Sequence, residues 1–216
     1  MKANLLLILL LLLTACSDSH TNLKVDLKSV EGYGNFKPGD RILFPINDSV
    51  YYTSVPDSIS EFVVRSLVLQ RDQYYWNRYL NKQIDKNTFS ELIGYYKIDT
   101  TKLTDANVDC EILILIGDQN NKRVIIVDSD NDEDFSDENI NEYDYPLSLE
   151  KQKEIAQNLP VILTQYEYYE NGKVQKKSIK MKPSPYKGSL SISFNTDNEA
   201  EKKFFLFVSF PEHKKG

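Results

Sequence analysis

The sequence predicts a mainly β fold, an antiparallel sandwich or an open barrel, with a small helical insert. Short runs rich in Val, Ile, Tyr and Phe alternate with turn signals over most of the 216 residues. The dipeptide Asn171-Gly172 separates two such runs, and both residues tolerate the positive φ that a two-residue hairpin requires. By contrast, aromatic residues recur at helical spacing over residues 72–97.

Short strands are expected in the first part of the domain, and one assignment there is open. Pro56-Asp57-Ser58 has the pattern of a helix start, with Glu61 three residues after Ser58. The β-branched residues that follow favour a strand instead, and we interpret residues 62–69 as one. The expected strands are residues 41–46, 49–54 and 62–69.

The helical insert near residues 72–97 follows these strands. Tyr75, Trp76 and Tyr79 share one face at helical spacing, and Asp85 is expected to start a second helix that contains Phe89. We interpret these aromatic residues as helix packing rather than as a ligand platform.

From Cys110 onward the pattern again indicates antiparallel strands. A turn over residues 117–121 is expected to join the first two strands, and Asn171-Gly172 a later pair. Ser148 is a candidate N-cap for a short helix. The expected elements are strands over residues 111–116, 123–127, 160–170, 173–182, 189–195 and 203–210, and a helix over residues 147–158.

The N-terminus has the composition of a signal peptide. Lys2 supplies a positive charge, and residues 5–13 form an apolar run of nine residues. That run is shorter than the ~20 apolar residues that span a bilayer. It fits the helical core of a signal peptide that comprises residues 1–15.

Leu13-Thr14-Ala15-Cys16 resembles the lipobox of bacterial lipoproteins. The resemblance implies that Cys16 is lipidated and anchors the mature chain in a membrane. Because Ser17 rather than Asp follows the cysteine, it also implies the outer membrane of the cell envelope, on its periplasmic or its surface side. Residues 16–28 would form a polar tether, and residues 29–216 a single β-rich domain. The alternative is an ordinary cleaved signal that leaves Cys16 unmodified.

Composition excludes one class of partner and limits the sources of stability. The chain has 32 Asp plus Glu against 26 Lys plus Arg, and ten of the acidic residues lie between residues 124 and 150, where there is no basic residue. A nucleic-acid surface would show a basic patch, so no nucleic-acid partner is expected. Cys110 is the only cysteine besides Cys16, so stability must come from the core without a disulfide in the chain.

The stretch 128–138 is the candidate metal site. Carboxylates at alternate positions of a short loop surround one point with the oxygen ligands that Ca²⁺ requires. The expected ligands are Asp128, Asp130, Asp132, Asp134, Asp137 and Glu138. Of these, Asp134 would bind through its backbone carbonyl, and Asp137 or Glu138 would complete the coordination.

The same stretch resembles the calcium loop of an EF-hand, with Phe135 at the position that often packs an apolar residue. It departs from that pattern at Glu133, where the turn glycine should be, and at Asn139, where the last Glu should be. A strand also precedes it in place of a helix. The expected calcium affinity is therefore weak, with a dissociation constant of ~10⁻⁴ to 10⁻³ M. The alternative is a solvated acidic loop in which Asp residues only favour turns.

A strand that leads into such a loop is also similar to a segment in the β-rich N-terminal regions of some exported bacterial lipoproteins. Some of those proteins carry a thioredoxin-like thiol-disulfide oxidoreductase domain after it. The chain has no CxxC motif, so the redox activity is not carried over. No catalytic residue is predicted, because the chain has no nucleophile elbow, HExxH or phosphate loop.

These observations predict a lipid-anchored binding or structural module of the cell envelope. We expect it to be non-enzymatic, with an envelope protein or a glycan as its partner. Two alternatives stay open. One is an envelope hydrolase or glycan-active enzyme with dispersed carboxylates, which need no local motif. The other is the accessory half of an envelope thiol-disulfide oxidoreductase.

Overall fold

The computed structural model describes residues 28–31, 41–42, 44–45, 52–145, 148–185, 206–209 and 212–215. The chain divides into two compact units, one of residues 1–30 with 214–216 and a larger one of residues 31–213. The larger unit contains the site described below. Among the described residues, no helix is both long enough and apolar enough to cross a membrane.

Antiparallel strands make up most of the described structure. The strands are β1 (Lys28–Glu31), β2 (Arg41–Ile42), β3 (Phe44–Pro45), β4 (Glu61–Val68), β5 (Glu111–Gln119), β6 (Lys122–Val127), β7 (Asn141–Asp144), β8 (Ile162–Glu170), β9 (Lys173–Ser184), β10 (Phe207–Ser209) and β11 (Glu212–Lys215). The helices are α1 (Arg71–Leu80), α2 (Lys86–Tyr96) and α3 (Leu149–Gln157), with a short 3-10 helix at Thr100–Lys102. The mainly β fold with a small helical part is therefore confirmed.

The described strands form three sheets. A five-stranded sheet has the order β3-β4-β5-β6-β7, and a four-stranded sheet has the order β2-β10-β9-β8. Strands β1 and β11 form a two-stranded sheet. Every neighbouring pair in the two larger sheets is antiparallel.

Strand β5 is buried on both of its faces. Ile112, Ile114 and Ile116 belong to a core cluster that also includes Met181 of the four-stranded sheet. Its alternate residues, Leu113 and Leu115, belong to a second cluster on the opposite face. A strand buried on both faces requires a continuous apolar run rather than an alternating one, and this is the run that the sequence shows.

Both hairpin turns consist of two residues with positive φ. Asn171 and Gly172 have φ values of 53° and 77° and join β8 to β9, so this predicted hairpin is confirmed. Between β5 and β6, the turn residues are Asn120 and Asn121, with φ values of 49° and 64°. The predicted turn over residues 117–121 was too long, because Gly117 is still paired within the sheet.

Short polar side chains fix where the helices begin. The Asp85 carboxylate accepts a hydrogen bond from the Thr88 backbone N–H at 2.8 Å and caps α2, as an N-cap residue should. Ser148 caps α3 in the same way, as predicted. The possible helix start at Pro56 is wrong, since a turn precedes β4 there.

Some expectations concern residues that are not described. They are the signal-peptide helix, Cys16, the tether up to residue 27 and the strand over residues 189–195. Lys28, the last residue of the predicted tether, is instead the first residue of β1. The predicted strand over 203–210 is described in part, as β10. Strands β7 and β11 were not predicted.

Candidate metal centre

The acidic loop begins where β6 ends, and its first carboxylate is buried. Asp128 is 0 % exposed, and its backbone N–H donates to the Leu113 carbonyl at 3.0 Å. Its carboxylate turns the loop: Oδ1 accepts from the Asp132 N–H at 3.1 Å, and Oδ2 accepts from the Glu133 N–H at 3.0 Å. The end of a core strand thus sets the position of the loop.

Three carboxylates of the loop approach one another. One oxygen each from Asp128, Asp130 and Asp132 lies within 4.8 Å of the other two. Oxygens that share one Ca²⁺ at its usual bond lengths lie at most about 5 Å apart. Asp128 is buried, whereas Asp130 and Asp132 are exposed, so the group opens to solvent on one side. These three residues could hold a metal ion.

The loop makes a tight turn without glycine. Asn131 and Glu133 both have a φ of 66°, in the left-handed region of backbone conformation. Glycine adopts this region readily, whereas it costs other residues roughly 1–2 kcal/mol. Glu133 occupies the position at which an EF-hand loop has its glycine. The Thr53 backbone N–H donates to the Glu133 carbonyl at 2.8 Å. This bond and the two bonds to Asp128 hold the turn.

Phe135 anchors the loop to the sheet. Its side chain is 0 % exposed and belongs to the second core cluster, with its ring centroid 5.9 Å from that of Tyr52. Its backbone N–H donates to the Thr53 carbonyl at 3.3 Å. An apolar residue at this position was expected from the loop pattern, and its burial confirms that part of the expectation.

The other three predicted ligands lie outside the three-carboxylate group, and their role as ligands stays a prediction. The Asp134 carboxylate accepts from the Ser136 N–H at 2.8 Å. The Glu138 carboxylate accepts from the backbone N–H of Ser129 and, at 2.9 Å, from the Ser129 hydroxyl. Asp137 is exposed.

Burial determines the electrostatics of the loop. It raises the pKa of Asp128 to about 6, although backbone N–H donors, first that of Glu133, act in the opposite direction. Burial also raises the pKa of Glu133. The N–H of Ser136 lowers the pKa of Asp134. The charged form of Asp128 is therefore under-solvated, and a bound cation would stabilise it.

A second group of carboxylates has no local motif and was not predicted. Asp109, Glu111 and Glu133 line a pocket of about 300 Å³, together with Arg78. Burial raises the pKa of Asp109 to about 7 and also raises the pKa of Glu111. The one available signal was local: two acidic residues flank Cys110 directly before the apolar run of β5.

The chain matches no protein-family model, no curated protein and no solved structure.

Proposed function

We propose that this chain is a lipid-anchored protein of the bacterial cell envelope whose acidic loop binds calcium, which fixes the loop to the β core. The observation that carries the proposal is the approach of carboxylate oxygens from Asp128, Asp130 and Asp132 to within 4.8 Å of one another. The role of the ion is structural, and the protein acts as a binding or structural module toward an envelope protein or a glycan.

The donor set favours calcium over other ions. Carboxylate oxygens are hard ligands, which suit Ca²⁺ and Mg²⁺ rather than the ions that imidazole or thiolate would bind. Calcium accepts six to eight ligands in flexible geometry, and waters can complete the shell on the exposed side of Asp130 and Asp132. Magnesium demands a near-ideal octahedron, which a group with only one buried member is poorly built to impose.

The position of the loop supports a structural role. The Ser129 carbonyl accepts from the backbone N–H of Gln165 in β8 at 2.8 Å, and Glu133 and Phe135 exchange backbone hydrogen bonds with Thr53. An ion that fixes the loop would therefore stabilise contacts to two distant parts of the chain. The only cysteine that the structure describes, Cys110, is free, so a metal would supply cross-linking that disulfides supply elsewhere.

The experiment is a thermal melt of the full chain in mild detergent, with calcium and with a chelator. At about 10 mM calcium and a dissociation constant of ~10⁻³ M, binding adds about 1.4 kcal/mol to the free energy of unfolding. A domain of this size then melts about 3–6 °C higher. Asp130→Asn should abolish the shift, and Asp57→Asn, the same change at an exposed turn, should retain it. Absence of a melting-temperature shift in the chain without substitutions would refute calcium binding.

The anchor has a separate test. The sequence around Cys16 supports lipidation, which holds a protein at a membrane through buried methylene groups. Mass spectrometry of the N-terminal peptide should find acyl chains on Cys16, and Cys16→Ser should move the protein from the membrane fraction to the soluble fraction. An unchanged distribution of the variant would contradict the proposed anchor.

A further inference from the structure

A pocket beside α1 has no role in the calcium proposal. Its volume is about 300 Å³, at the lower end of the ~300–1,000 Å³ that small-molecule pockets occupy. Three separate segments form its wall: α1 with the turn after it, residues 107–111, which lead into β5, and Glu133 of the acidic loop. A pocket of this size exceeds what a single metal ion needs.

The α1 side of the pocket is held in place by hydrogen bonds. Arg78 Nη1 donates to the Tyr74 hydroxyl at 2.9 Å, and the Asn77 side-chain amide donates to the Val108 carbonyl at 2.7 Å. At the start of β5, the Glu111 carboxylate accepts from the Ser66 hydroxyl. The walls are therefore pre-organised, and a ligand would lose little free energy in ordering them.

The charge of the lining is unbalanced. The lining contains three carboxylates, those of Asp109, Glu111 and Glu133, against one cationic side chain, Arg78. Arg78 acts on Glu111, since its charge favours the ionised form of that carboxylate. When these carboxylates are ionised, the pocket therefore has an excess of negative charge and of hydrogen-bond acceptors, which disfavours an anionic ligand.

We propose that this pocket binds a small organic cation through a primary ammonium group, held by the carboxylates of Asp109 and Glu133. An ammonium group offers three N–H donors and no acceptor, which complements an acceptor-rich wall. Charge-assisted hydrogen bonds are also roughly twice as strong as neutral ones. A neutral polyol would fill the volume but would leave the excess charge uncompensated.

The test is calorimetric titration of the full chain with 1,5-diaminopentane at about pH 8, where Asp109 is ionised, in the presence of a chelator and again with calcium. The neutral probe is 1,5-pentanediol, which has the same length and no charge. We expect saturable binding of the diamine and none of the diol. Asp109→Asn keeps the shape of the side chain and removes its charge, and it should weaken the affinity for the diamine at least about tenfold. Glu91→Gln, the corresponding change on the exposed face of α2, should leave the affinity unchanged.

Amide NMR of the unmodified chain makes the test independent of how the variants fold. The diamine should shift the resonances of residues 107–111 and of α1. Shifts confined to residues 128–132 would place the cation in the acidic loop and overturn the proposal. Two calorimetric results would also overturn the proposal: no saturation up to about 10 mM diamine, or equal binding of the diol. The same holds if calcium shifts the resonances of residues 107–111 and competes with the diamine there. Because the diamine is titrated with the chelator present, its binding can be interpreted even when the chain binds no calcium.

Discussion

Phe135→Ala is expected to destabilise the protein and to weaken its response to calcium. Phe135 is 0 % exposed, and it packs in the second core cluster with Val64 of β4 and Ile126 of β6. Truncation of a buried Phe costs ~3–5 kcal/mol, from lost transfer free energy and from the cavity left behind. For a domain of this size, that corresponds to a melting temperature lower by about 6–20 °C. The upper half of the range is expected, since the tilted contact with Tyr52 is lost as well.

The calcium response should fall because Phe135 fastens the loop to the sheet. Without that anchor, part of the binding free energy of the ion is spent on ordering the loop backbone, at ~1–2 kcal/mol per residue fixed. The assay is urea unfolding followed by circular dichroism, with calcium and with chelator.

A matched variant separates the two effects. Phe89 is 4 % exposed and stacks on Tyr79 at 4.6 Å in the helical insert. Phe89→Ala should cost a comparable free energy of unfolding and leave the calcium shift unchanged. A loss below about 1 kcal/mol for Phe135→Ala, or a full calcium shift in that variant, would refute the anchoring role of Phe135.

Three further predictions concern β5 and the buried groups beside it. Gly117→Ala would place a Cβ 2.6 Å from the Glu61 carbonyl oxygen. Chemical denaturation should show that the free energy of unfolding falls by ~1–3 kcal/mol or more, and an unchanged value would contradict this packing. Burial raises the pKa of Cys110 to about 12, so its neutral thiol stabilises the fold fully below about pH 8.5 and progressively less above it; alkylation should be slow in the folded protein at that pH and fast in urea. Burial raises the pKa of Asp109 to about 7, so its contribution is present below about pH 4 and is lost as the pH rises through 7; Asp109→Asn should flatten the decline in stability from pH 5 to 8, and an unchanged slope would count against it.

The central strands were predictable because burial leaves a strong signal in the sequence. The run from Ile112 to Ile116 is apolar at every position, since both faces of β5 are covered. Strand β7 left no such signal. Of its four residues, Asn141–Asp144, only Tyr143 is buried, and the strand forms through pairing with β6 at the edge of the sheet. Its existence depends on a partner that local composition does not reveal.

The same distinction separates the loop from the pocket. The acidic loop is a local motif, so the spacing of Asp128, Asp130 and Asp132 predicts a cluster that the fold then assembles. The spacing does not show that the Asp134 carboxylate instead accepts a bond from the Ser136 N–H, as short polar side chains do when they compete for local backbone donors. Nor does it show that the Glu138 carboxylate accepts from Ser129, nine residues earlier in the chain. The pocket is beyond such reasoning altogether, since Arg78 and Glu133 meet Asp109 only through the tertiary fold.

Glu133 connects the two proposed sites. Its backbone N–H is held by Asp128, while its side chain lines the pocket beside α1. If calcium fixes the loop, it fixes this wall of the pocket too, and each cation then raises the affinity for the other by the same factor. Direct repulsion between the two positive charges acts in the opposite direction. Salt screens that repulsion across the exposed side of the loop but leaves the ordering of the backbone unchanged. The net coupling between calcium and the organic cation should therefore become more favourable as ionic strength rises, which is the reverse of what salt does to the affinity of either cation alone.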